Sequence, residues 1–287
     1  LHPLSLEPQG LQNSVIDSKV NDLKKMTQFY QEAIGLDLME EKENSVVLGV
    51  AADNTPLVEL IQLAAPSNRK RTTGLFHLAI LLPTRADLGS ILYHLLTKKY
   101  AIDGASDHGY SEAIYLNDPE GNGIEIYRDK DMSDWDIRPD GKIEGVTEAM
   151  DADGVIGAMV KIYDGIPSGS IMGHVHLTVH DLVETQQFYQ NVLGISLKSD
   201  FFGQAKFFAA GNYHHHIGSN MWAGKQLPAA EKSQPGLAYF TWVVADNTAY
   251  EALKSRLVQA EVSFEEADNT LIFKDNSGIE IHAVIHQ

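Results

Sequence analysis

The chain has no cysteine among its 287 residues. This absence excludes disulfide bonds, thiolate zinc sites and a cysteine nucleophile. The sequence also has no apolar run of about 18 residues, the length that a membrane-spanning helix needs, so no membrane partner is expected. Basic residues are few, with 22 lysines and arginines against 39 acidic residues and a formal net charge of -17. A surface this acidic repels phosphate backbones, which argues against a nucleic-acid partner.

The remaining composition is typical of a soluble globular protein, with 44% hydrophobic and 21% charged residues. The first ten residues, LHPLSLEPQG, lack the basic region and apolar run of a signal peptide, so a cytoplasmic location is expected. A chain of this length predicts two domains of roughly 100–150 residues each. Nothing in the sequence addresses the oligomeric state, and a homo-oligomer is compatible with it.

An internal repeat joins the two halves of the chain. An Asp-Leu pair, a Phe-Tyr pair and a glycine recur in two distant segments. The spacing from Asp to Phe is seven residues in each copy, from Asp22 to Phe29 and from Asp181 to Phe188. The next six residues lead to Gly35 in the first copy and to Gly194 in the second. Agreement at this many positions indicates duplication of a structural unit. Both aspartates are also expected to cap helices.

The order of predicted elements is β-α-β-β-β, four times over, which indicates an α+β protein built from four βαβββ modules. Residues 9–128 are interpreted as an N-terminal pair, modules 1 and 2. Residues 171–287 are interpreted as a C-terminal pair, modules 3 and 4. The segment 129–170 is glycine-rich, acidic and without clear periodicity, so it is expected to connect the two domains.

This pattern resembles the vicinal oxygen chelate superfamily, which includes glyoxalase I, bleomycin-resistance proteins and type I extradiol dioxygenases. The resemblance lies in His174 with the Asp-Leu, Phe-Tyr and Leu-Gly pairs that follow it, and in the closing strands GNGIEIY and SGIEIHA. Four modules match the two-domain branch of that superfamily. Within it, GLFHLAILLPTRADLG and MGHVHLTV are similar to segments of bacterial catechol-2,3-dioxygenases.

The resemblance implies a curled mixed sheet for each pair of modules, with a metal in its concavity. Ligands would come from the first and last strands of the modules. In the C-terminal pair these positions hold His174, His215, Tyr239 and Glu280. Two imidazoles and one carboxylate make a facial triad with open coordination positions, so the proposed metal ligands are His174, His215 and Glu280. Fe²⁺ is the expected metal, although Mn²⁺ or Zn²⁺ would accept the same ligands.

The function implied by this resemblance is that of a non-haem, metal-dependent extradiol dioxygenase. It would cleave a catechol-like aromatic diol with dioxygen, as an oxidoreductase of aromatic hydrocarbon catabolism. Ring opening needs a proton acceptor, and His176 and Tyr239 are the catalytic candidates. The chain departs from the type I pattern at Tyr239, because these enzymes usually have a histidine ligand on the first strand of the fourth module.

Two alternatives stay open. Glu59, His77 and Glu125 match a Glu-His-Glu ligand pattern of glyoxalase I, which would indicate an isomerase or thiol transferase with an N-terminal metal site. The departure at Tyr239 instead permits a non-catalytic protein that sequesters a planar aromatic ligand. For Glu125 a structural role is also open, because a buried carboxylate can pair with a base such as Arg128 instead of a metal.

The substrate pocket is expected around the run YHHHIG and the residues that follow it. Residues 213–218 are predicted to be a strand, on which side chains point alternately to opposite faces. His215 then faces the metal, whereas a shift of one residue would turn His214 and His216 inward. Asn220 and Trp222 come soon after this strand and are expected to line the pocket wall.

Overall fold

The structure is a computed structural model that describes residues 15–285, and it has an α+β fold of four repeated modules. Module 1 contains β1 (Ile16–Val20), α1 (Leu23–Phe29), a turn of π-helix (Tyr30–Ile34), β2 (Asp37–Glu41), β3 (Ser45–Val50), a 3-10 turn (Ala51–Asp53) and β4 (Thr55–Gln62). Module 2 contains β5 (Gly74–Leu81), α2 (Arg85–Thr97), β6 (Gly104–Asp107), β7 (Ser111–Asn117) and β8 (Gly123–Asp129).

The second half of the chain repeats this plan after a connecting segment. The connection contains a 3-10 turn (Met132–Asp134), β9 (Asp136–Ile137), β10 (Ile143–Glu144), β11 (Glu148–Ala149) and α3 (Ala152–Gly157). Module 3 contains β12 (Ile171–Thr178), α4 (Leu182–Phe188), a turn of π-helix (Tyr189–Leu193), β13 (Ser196–Phe201), β14 (Ala205–Ala209) and β15 (Ile217–Asn220). Module 4 contains β16 (Gly236–Val244), α5 (Asn247–Gln259), β17 (Phe264–Ala267), β18 (Thr270–Lys274) and β19 (Glu280–Ile285).

The strands form two large mixed sheets, which confirms the predicted fold class. One sheet has eight strands in the order β17-β18-β19-β16-β1-β4-β3-β2 and combines modules 1 and 4. The other has nine strands in the order β11-β6-β7-β8-β5-β12-β15-β14-β13 and combines modules 2 and 3. We refer to them as the 1–4 sheet and the 2–3 sheet.

This strand order corrects the predicted pairing of modules 1 with 2 and 3 with 4, over residues 9–128 and 171–287. Residues 9–14 and 286–287 of those ranges lie outside the described residues. The centre of each sheet is an antiparallel pair of first strands, with Leu78 opposite Val175 in one and Ile16 opposite Phe240 in the other. All four first strands are rich in apolar residues. Sequence periodicity therefore predicts which face is buried but not which strand is the partner.

Modules that are neighbours in the chain are joined by a buried hydrogen bond that recurs in both halves. The hydroxyl of Tyr30 donates to Asp118 Oδ2 over 2.9 Å, and the hydroxyl of Tyr189 donates to Asp275 Oδ2 over 2.8 Å. Each bond links the helix of one module to the turn before the last strand of the next. Burial raises the pKa of Asp275 to about 6. The repeated Phe-Tyr pair thus has a structural role in holding the two sheets together.

The helices begin at polar N-caps. As predicted, Asp22 accepts from the amide of Lys25 and Asp181 accepts from that of Glu184. The longest helices among the described residues are α2 and α5, with 13 residues each. Within residues 15–285, no helix is long and apolar enough to span a lipid bilayer.

The segment 129–170 does more than connect two domains. Its strand β11 extends the edge of the 2–3 sheet by pairing with β6, and α3 packs against α2. Gly145, Val146 and Thr147 line a cavity in the same sheet. Weak periodicity in the sequence therefore reflects short elements that follow the surface of the sheet, and the predicted role as a plain connection is incomplete.

A row of polar side chains crosses the centre of the 1–4 sheet. Asp17 on β1 lies opposite Glu59 on β4 and opposite Tyr239 on β16. Only 2% of Asp17 is exposed, and its Oδ2 atom makes no hydrogen bond within the described residues. Burial, with a further contribution from the charge of Glu59, raises the pKa of Asp17 to about 8. Asp17 is therefore protonated in the folded protein at neutral pH.

This shift predicts how stability depends on pH. In the unfolded chain an aspartate has a pKa of about 3.9, so the stability that protonated Asp17 contributes is lost as pH rises from about 4 towards 8. Asp17→Asn replaces the titrating carboxyl group with a neutral amide, so the variant does not lose this stability as pH rises. Between pH 5 and 7.5 we expect the variant to gain stability relative to the wild type by up to about 1.4 kcal/mol per pH unit. Urea unfolding at several pH values measures this difference.

Glu43→Gln is the matched control, because it neutralises an exposed carboxylate in the same sheet region. Its free energy of unfolding should follow that of the wild type across the same pH range. A constant difference between Asp17→Asn and the wild type from pH 5 to 7.5 would contradict the raised pKa.

Candidate metal centre

Three strands of the 2–3 sheet bring two histidines and a glutamate together. His77 lies on β5, Glu125 on β8 and His174 on β12. In the register of the sheet, His77 lies opposite Gly123 on one side and opposite His176 on the other. Glu125 and His174 are each two residues from those partners. Because side chains on a strand alternate between faces, all three project from the same face of the sheet.

The donor atoms of these residues form a compact triangle. His77 Nε2 lies 2.8 Å from Glu125 Oε2, and His174 Nε2 lies 3.0 Å from the same oxygen. The two Nε2 atoms are 3.4 Å apart. Ligands about 2.1 Å from a metal ion are roughly 3 Å apart when their bonds meet at right angles and slightly farther apart in a tetrahedron. The three donors therefore fit a face of a metal coordination sphere.

The electrostatics of the cluster suit metal ligands. Burial alone would raise the pKa of Glu125, but the adjacent His174 and His77 outweigh burial and hold that pKa well below its usual range. For His174, burial lowers the pKa despite the opposing effect of Glu125. A carboxylate and neutral imidazoles are the protonation states that a metal ion requires. All three residues are buried, with exposed fractions of 6%, 3% and 1% for His77, Glu125 and His174.

The cluster lies in the wall of a cavity of about 410 Å³. Most of the lining residues outside the cluster are aromatic residues or histidines. These aromatic residues and histidines are Phe76, His108, Tyr110, Tyr115, His176, Phe201, Phe207, His215 and Trp222. None of the described residues that line the cavity is a lysine or an arginine. The arrangement can hold a metal ion beside a flat, largely apolar ligand.

The cluster combines members of the two predicted metal sites and corrects both. His174 belongs to the predicted C-terminal set, whereas His77 and Glu125 belong to the alternative N-terminal set. The third member of that alternative, Glu59, lies in the 1–4 sheet. There it accepts a hydrogen bond from Ser45 over 2.8 Å and pairs with Lys42 at 3.3 Å.

Glu280 and Tyr239 were assigned to the site with His174, and this assignment is wrong because modules 3 and 4 belong to different sheets. Glu280 Oε1 lies 2.7 Å from His282 Nε2, and the ring of Tyr239 stacks on His282 with centroids 3.6 Å apart. The sequence repeat aligns Tyr239 with His77 and Glu280 with Glu125, but module 4 belongs to the 1–4 sheet and module 2 to the 2–3 sheet.

The predicted histidine strand is also corrected. Strand β15 begins only at Ile217, so His214, His215 and His216 lie in the preceding loop and do not alternate between two faces. His215 lines the cavity, but it is not one of the three clustered donors. Neither His214 nor His216 lines it, although both are buried. The Nδ1 atom of His216 accepts a hydrogen bond from the amide of Ala210 over 3.2 Å.

The remaining predicted residues have different positions relative to the cavity. His176 and Trp222 line it, and Trp222 is 52% exposed at its rim. Asn220 is fully buried behind them. Its Oδ1 accepts from the amide of Trp222 over 3.1 Å, which directs its Nδ2 towards His176 Nε2 at 2.9 Å. Asn220 therefore orients His176 and does not contact the cavity itself.

Several cavity residues were missed by sequence reasoning. Tyr115 faces the cluster and lies 2.5 Å from His108 Nε2, yet its strand β7 was not expected to contribute to a site. Burial raises the pKa of Tyr115 well above its ordinary value. Phe76 precedes His77 directly, and its position next to a candidate ligand was the signal that could have identified it as a cavity residue.

Arg128 pairs with Glu112 and not with Glu125, which removes the structural explanation offered for Glu125.

Comparisons with known proteins agree with this architecture. The profile described as "Glyoxalase/Bleomycin resistance protein/Dioxygenase superfamily" matches residues 16–126 and 171–283. The chain is 37% identical over 261 residues to a protein of Bacillus subtilis (strain 168) named catechol-2,3-dioxygenase, covering 89% of this chain and 90% of that protein.

Among solved structures, glyoxalase I from Zea mays superposes with a TM-score of 0.60 at 16% identity, covering 97% of this chain and 92% of the maize chain. The cppA protein from Streptococcus pneumoniae TIGR4 superposes with a TM-score of 0.57 at 14% identity, covering 96% of this chain and 98% of that one. At these identities the likeness shows a shared fold.

The donor cluster predicts how metal content responds to substitution. Glu125→Gln removes the only anionic donor of the three, and we expect tag-free protein loaded with Fe²⁺ under anaerobic conditions to lose most of its metal. Glu280→Gln changes the corresponding residue of module 4 and should retain about one metal ion per chain. Elemental analysis after desalting measures both. Equal metal content in Glu125→Gln and wild type, or loss in Glu280→Gln, would contradict the assignment.

Proposed function

This chain belongs to the glyoxalase/bleomycin resistance protein/dioxygenase superfamily, and we propose that it is a metal-dependent extradiol dioxygenase that cleaves the ring of a catechol-like diol. The observation that carries the proposal is the buried cluster of His77, Glu125 and His174 in the wall of an aromatic cavity. The 37% identity to a protein named catechol-2,3-dioxygenase supports the same reaction class.

The residues suited to hold the metal are His77, Glu125 and His174. Bound by these residues, iron(II) would supply a Lewis acid for the diol and activation of dioxygen. Fe²⁺ is the metal that this reaction favours, although Mn²⁺ and Zn²⁺ accept the same donor types. The carboxylate of Glu125 offsets part of the charge of such an ion within a buried site.

The cavity walls suit a flat aromatic substrate. Phe76 and Trp222 pack together with ring centroids 5.3 Å apart at the rim, and Phe207 lies against His215 at 5.0 Å. These rings can hold an aromatic substrate by burial and by edge-to-face contacts.

A metal ion makes the hydroxyls of a bound diol more acidic, and His215 is suited to accept a proton from one of them. Its ring centroid is 4.1 Å from that of His174, and it lines the cavity. Burial lowers the pKa of His215 well below its ordinary value, so the ring is neutral and can accept a hydrogen bond. This role replaces that of Tyr239, which lies in the other sheet.

The two alternatives are an isomerase or thiol transferase with an N-terminal metal site and a non-catalytic binding protein. The isomerase alternative depended on Glu59, which lies in the 1–4 sheet, apart from His77 and Glu125. The donor set that would support it is therefore incomplete. A non-catalytic binding protein requires no metal chemistry, and it becomes the better account only if metal-loaded protein binds aromatic diols without converting them.

The proposed reaction predicts a coloured product. We expect anaerobically prepared protein loaded with Fe²⁺ to form a yellow ring-fission product on addition of a catechol in air, with one dioxygen consumed per catechol. His77→Ala, which removes one donor, should reduce kcat/KM to background. His282→Ala alters a histidine of the 1–4 sheet and should retain activity.

Absorbance, oxygen uptake and product mass together measure this reaction. An aldehyde-containing product identifies cleavage outside the diol, whereas a diacid identifies cleavage between the hydroxyl carbons. The proposal would be wrong if fully metallated wild-type protein bound substituted and unsubstituted catechols without consuming dioxygen.

The cavity lining predicts a preference among substituted catechols. A volume of about 410 Å³ exceeds what a single six-membered ring fills, and the described lining residues include no lysine or arginine that could pair with an anionic substituent. A buried carboxylate without a partner is costly. We therefore expect kcat/KM for alkyl- or aryl-substituted catechols to exceed that for carboxylate-bearing catechols by about 10-fold or more. Steady-state kinetics at saturating dioxygen measures this ratio, and an equal or reversed preference would contradict it.

A further inference from the structure

A chain of buried hydrogen bonds leads from the cavity to Asp129 at the end of β8. His215 Nδ1 lies 2.8 Å from His214 Nδ1, and His214 Nε2 lies 2.7 Å from Asp129 Oδ1. The His214 ring stacks on Tyr110 with centroids 4.1 Å apart and planes 13° apart. The side chains of His214 and Asp129 are buried, with exposed fractions of 0% and 8%.

The acceptor at one end of this chain determines where the hydrogens lie. A carboxylate has no hydrogen to donate. Asp129 therefore accepts from the Tyr213 hydroxyl at Oδ2, over 2.9 Å, and from His214 Nε2–H at Oδ1. When the His214 ring carries a single hydrogen, that hydrogen lies on Nε2 against Asp129, and Nδ1 has a free lone pair. The 2.8 Å contact between the two Nδ1 atoms then needs the hydrogen of His215.

It follows that His215 carries its hydrogen on Nδ1 and presents Nε2 as a bare acceptor. Within residues 15–285, Nε2 of His215 has no hydrogen-bond partner, and the residue lines the cavity beside His174. Two other cavity histidines differ in this respect. His176 Nε2 accepts from Asn220, and His108 Nε2 faces the hydroxyl of Tyr115. The lone pair of His215 is therefore left for a ligand.

We propose that Asp129, acting through His214, is a positioning residue that fixes His215 in the Nδ1–H tautomer, so that its Nε2 accepts a hydrogen bond from a substrate hydroxyl. This inference rests on the ring-cleavage function proposed above. The opposite tautomer would present Nε2–H to the cavity, where it could donate but could not accept.

The tautomer of His215 can be measured without activity. In metal-free, ¹⁵N-histidine-labelled protein at neutral pH, two-bond ¹H–¹⁵N correlation spectra distinguish Nδ1–H from Nε2–H rings. The His215 signals are assigned by their loss in His215→Asn. We expect His215 of the wild type to be the Nδ1–H tautomer, and an Nε2–H ring would overturn the proposal before any positioning variant is made.

Asp129→Leu tests the source of this preference. Leucine keeps the branched shape of aspartate but offers no acceptor, so a buried Nε2–H on His214 would be unsatisfied. We expect His214 to move its hydrogen to Nδ1 and His215 to become the Nε2–H tautomer. Tyr213→Phe is the matched control, because it removes the other hydrogen bond of Asp129 and leaves the His214 contact. It should preserve the wild-type tautomer.

A second variant covers the case in which Asp129→Leu does not fold. His214→Phe retains an aromatic ring against Tyr110 but removes the acceptor of His215 Nδ1, so the His215 signals should shift away from the pure Nδ1–H pattern. An unchanged His215 tautomer in either folded variant would overturn the role of the Asp129–His214 pair.

Kinetics links the tautomer to the reaction. In Fe²⁺-loaded protein we expect Asp129→Leu to lower kcat by about 10²-fold, the size of a general acid–base contribution, while Tyr213→Phe stays close to wild type. A shifted tautomer with unchanged kcat would overturn the role in catalysis. If the wild type cleaves no catechol, the ring-cleavage function fails, whereas the tautomer spectra still decide whether Asp129 fixes His215.

Discussion

The antiparallel pairing of β5 with β12 is the interaction on which the candidate site depends. It places His77 opposite His176 and brings His174, two residues away, to the side chain of Glu125 on the next strand. No single module contains all three donors. The cluster exists only because the first strand of module 3 adds to the sheet that module 2 begins. The hydrogen-bond register of one strand pair therefore determines both the fold of the 2–3 sheet and the chemistry that its concave face can support.

A carboxylate buried in a sheet must either be stabilised by neighbouring groups or become protonated. The two sheets differ in which of these occurs at their centres. In the 2–3 sheet, Glu125 faces two imidazoles, and its pKa is held well below the ordinary range. In the 1–4 sheet, Asp17 faces Glu59 and the hydroxyl of Tyr239, and burial raises its pKa to about 8. The same architecture thus produces an anionic centre suited to a cation in one sheet and a protonated acid in the other. The difference follows from which side chains the first strands carry.

Much of this organisation could be read from the chain. The spacing of the Asp-Leu and Phe-Tyr pairs revealed the repeat, and the position of His174 at the head of a strand marked it as a candidate ligand. His77 and Glu125 were also recognised, but in a separate site. The error was to pair modules by their order in the chain. Strand periodicity specifies the buried face, whereas partner choice depends on packing between segments that are far apart in the chain, which no local pattern records.

The sequence by itself determined the four modules, the α+β class, the acidic surface without thiols and the identity of the residues able to bind a metal. Tertiary structure alone decided that modules 2 and 3 share a sheet, that His215 lies in a loop beside the cluster, and that Glu280 and Tyr239 lie elsewhere. The physical reason is that composition and periodicity are properties of short segments. The distance between two donor atoms depends instead on which strands pair and in which register.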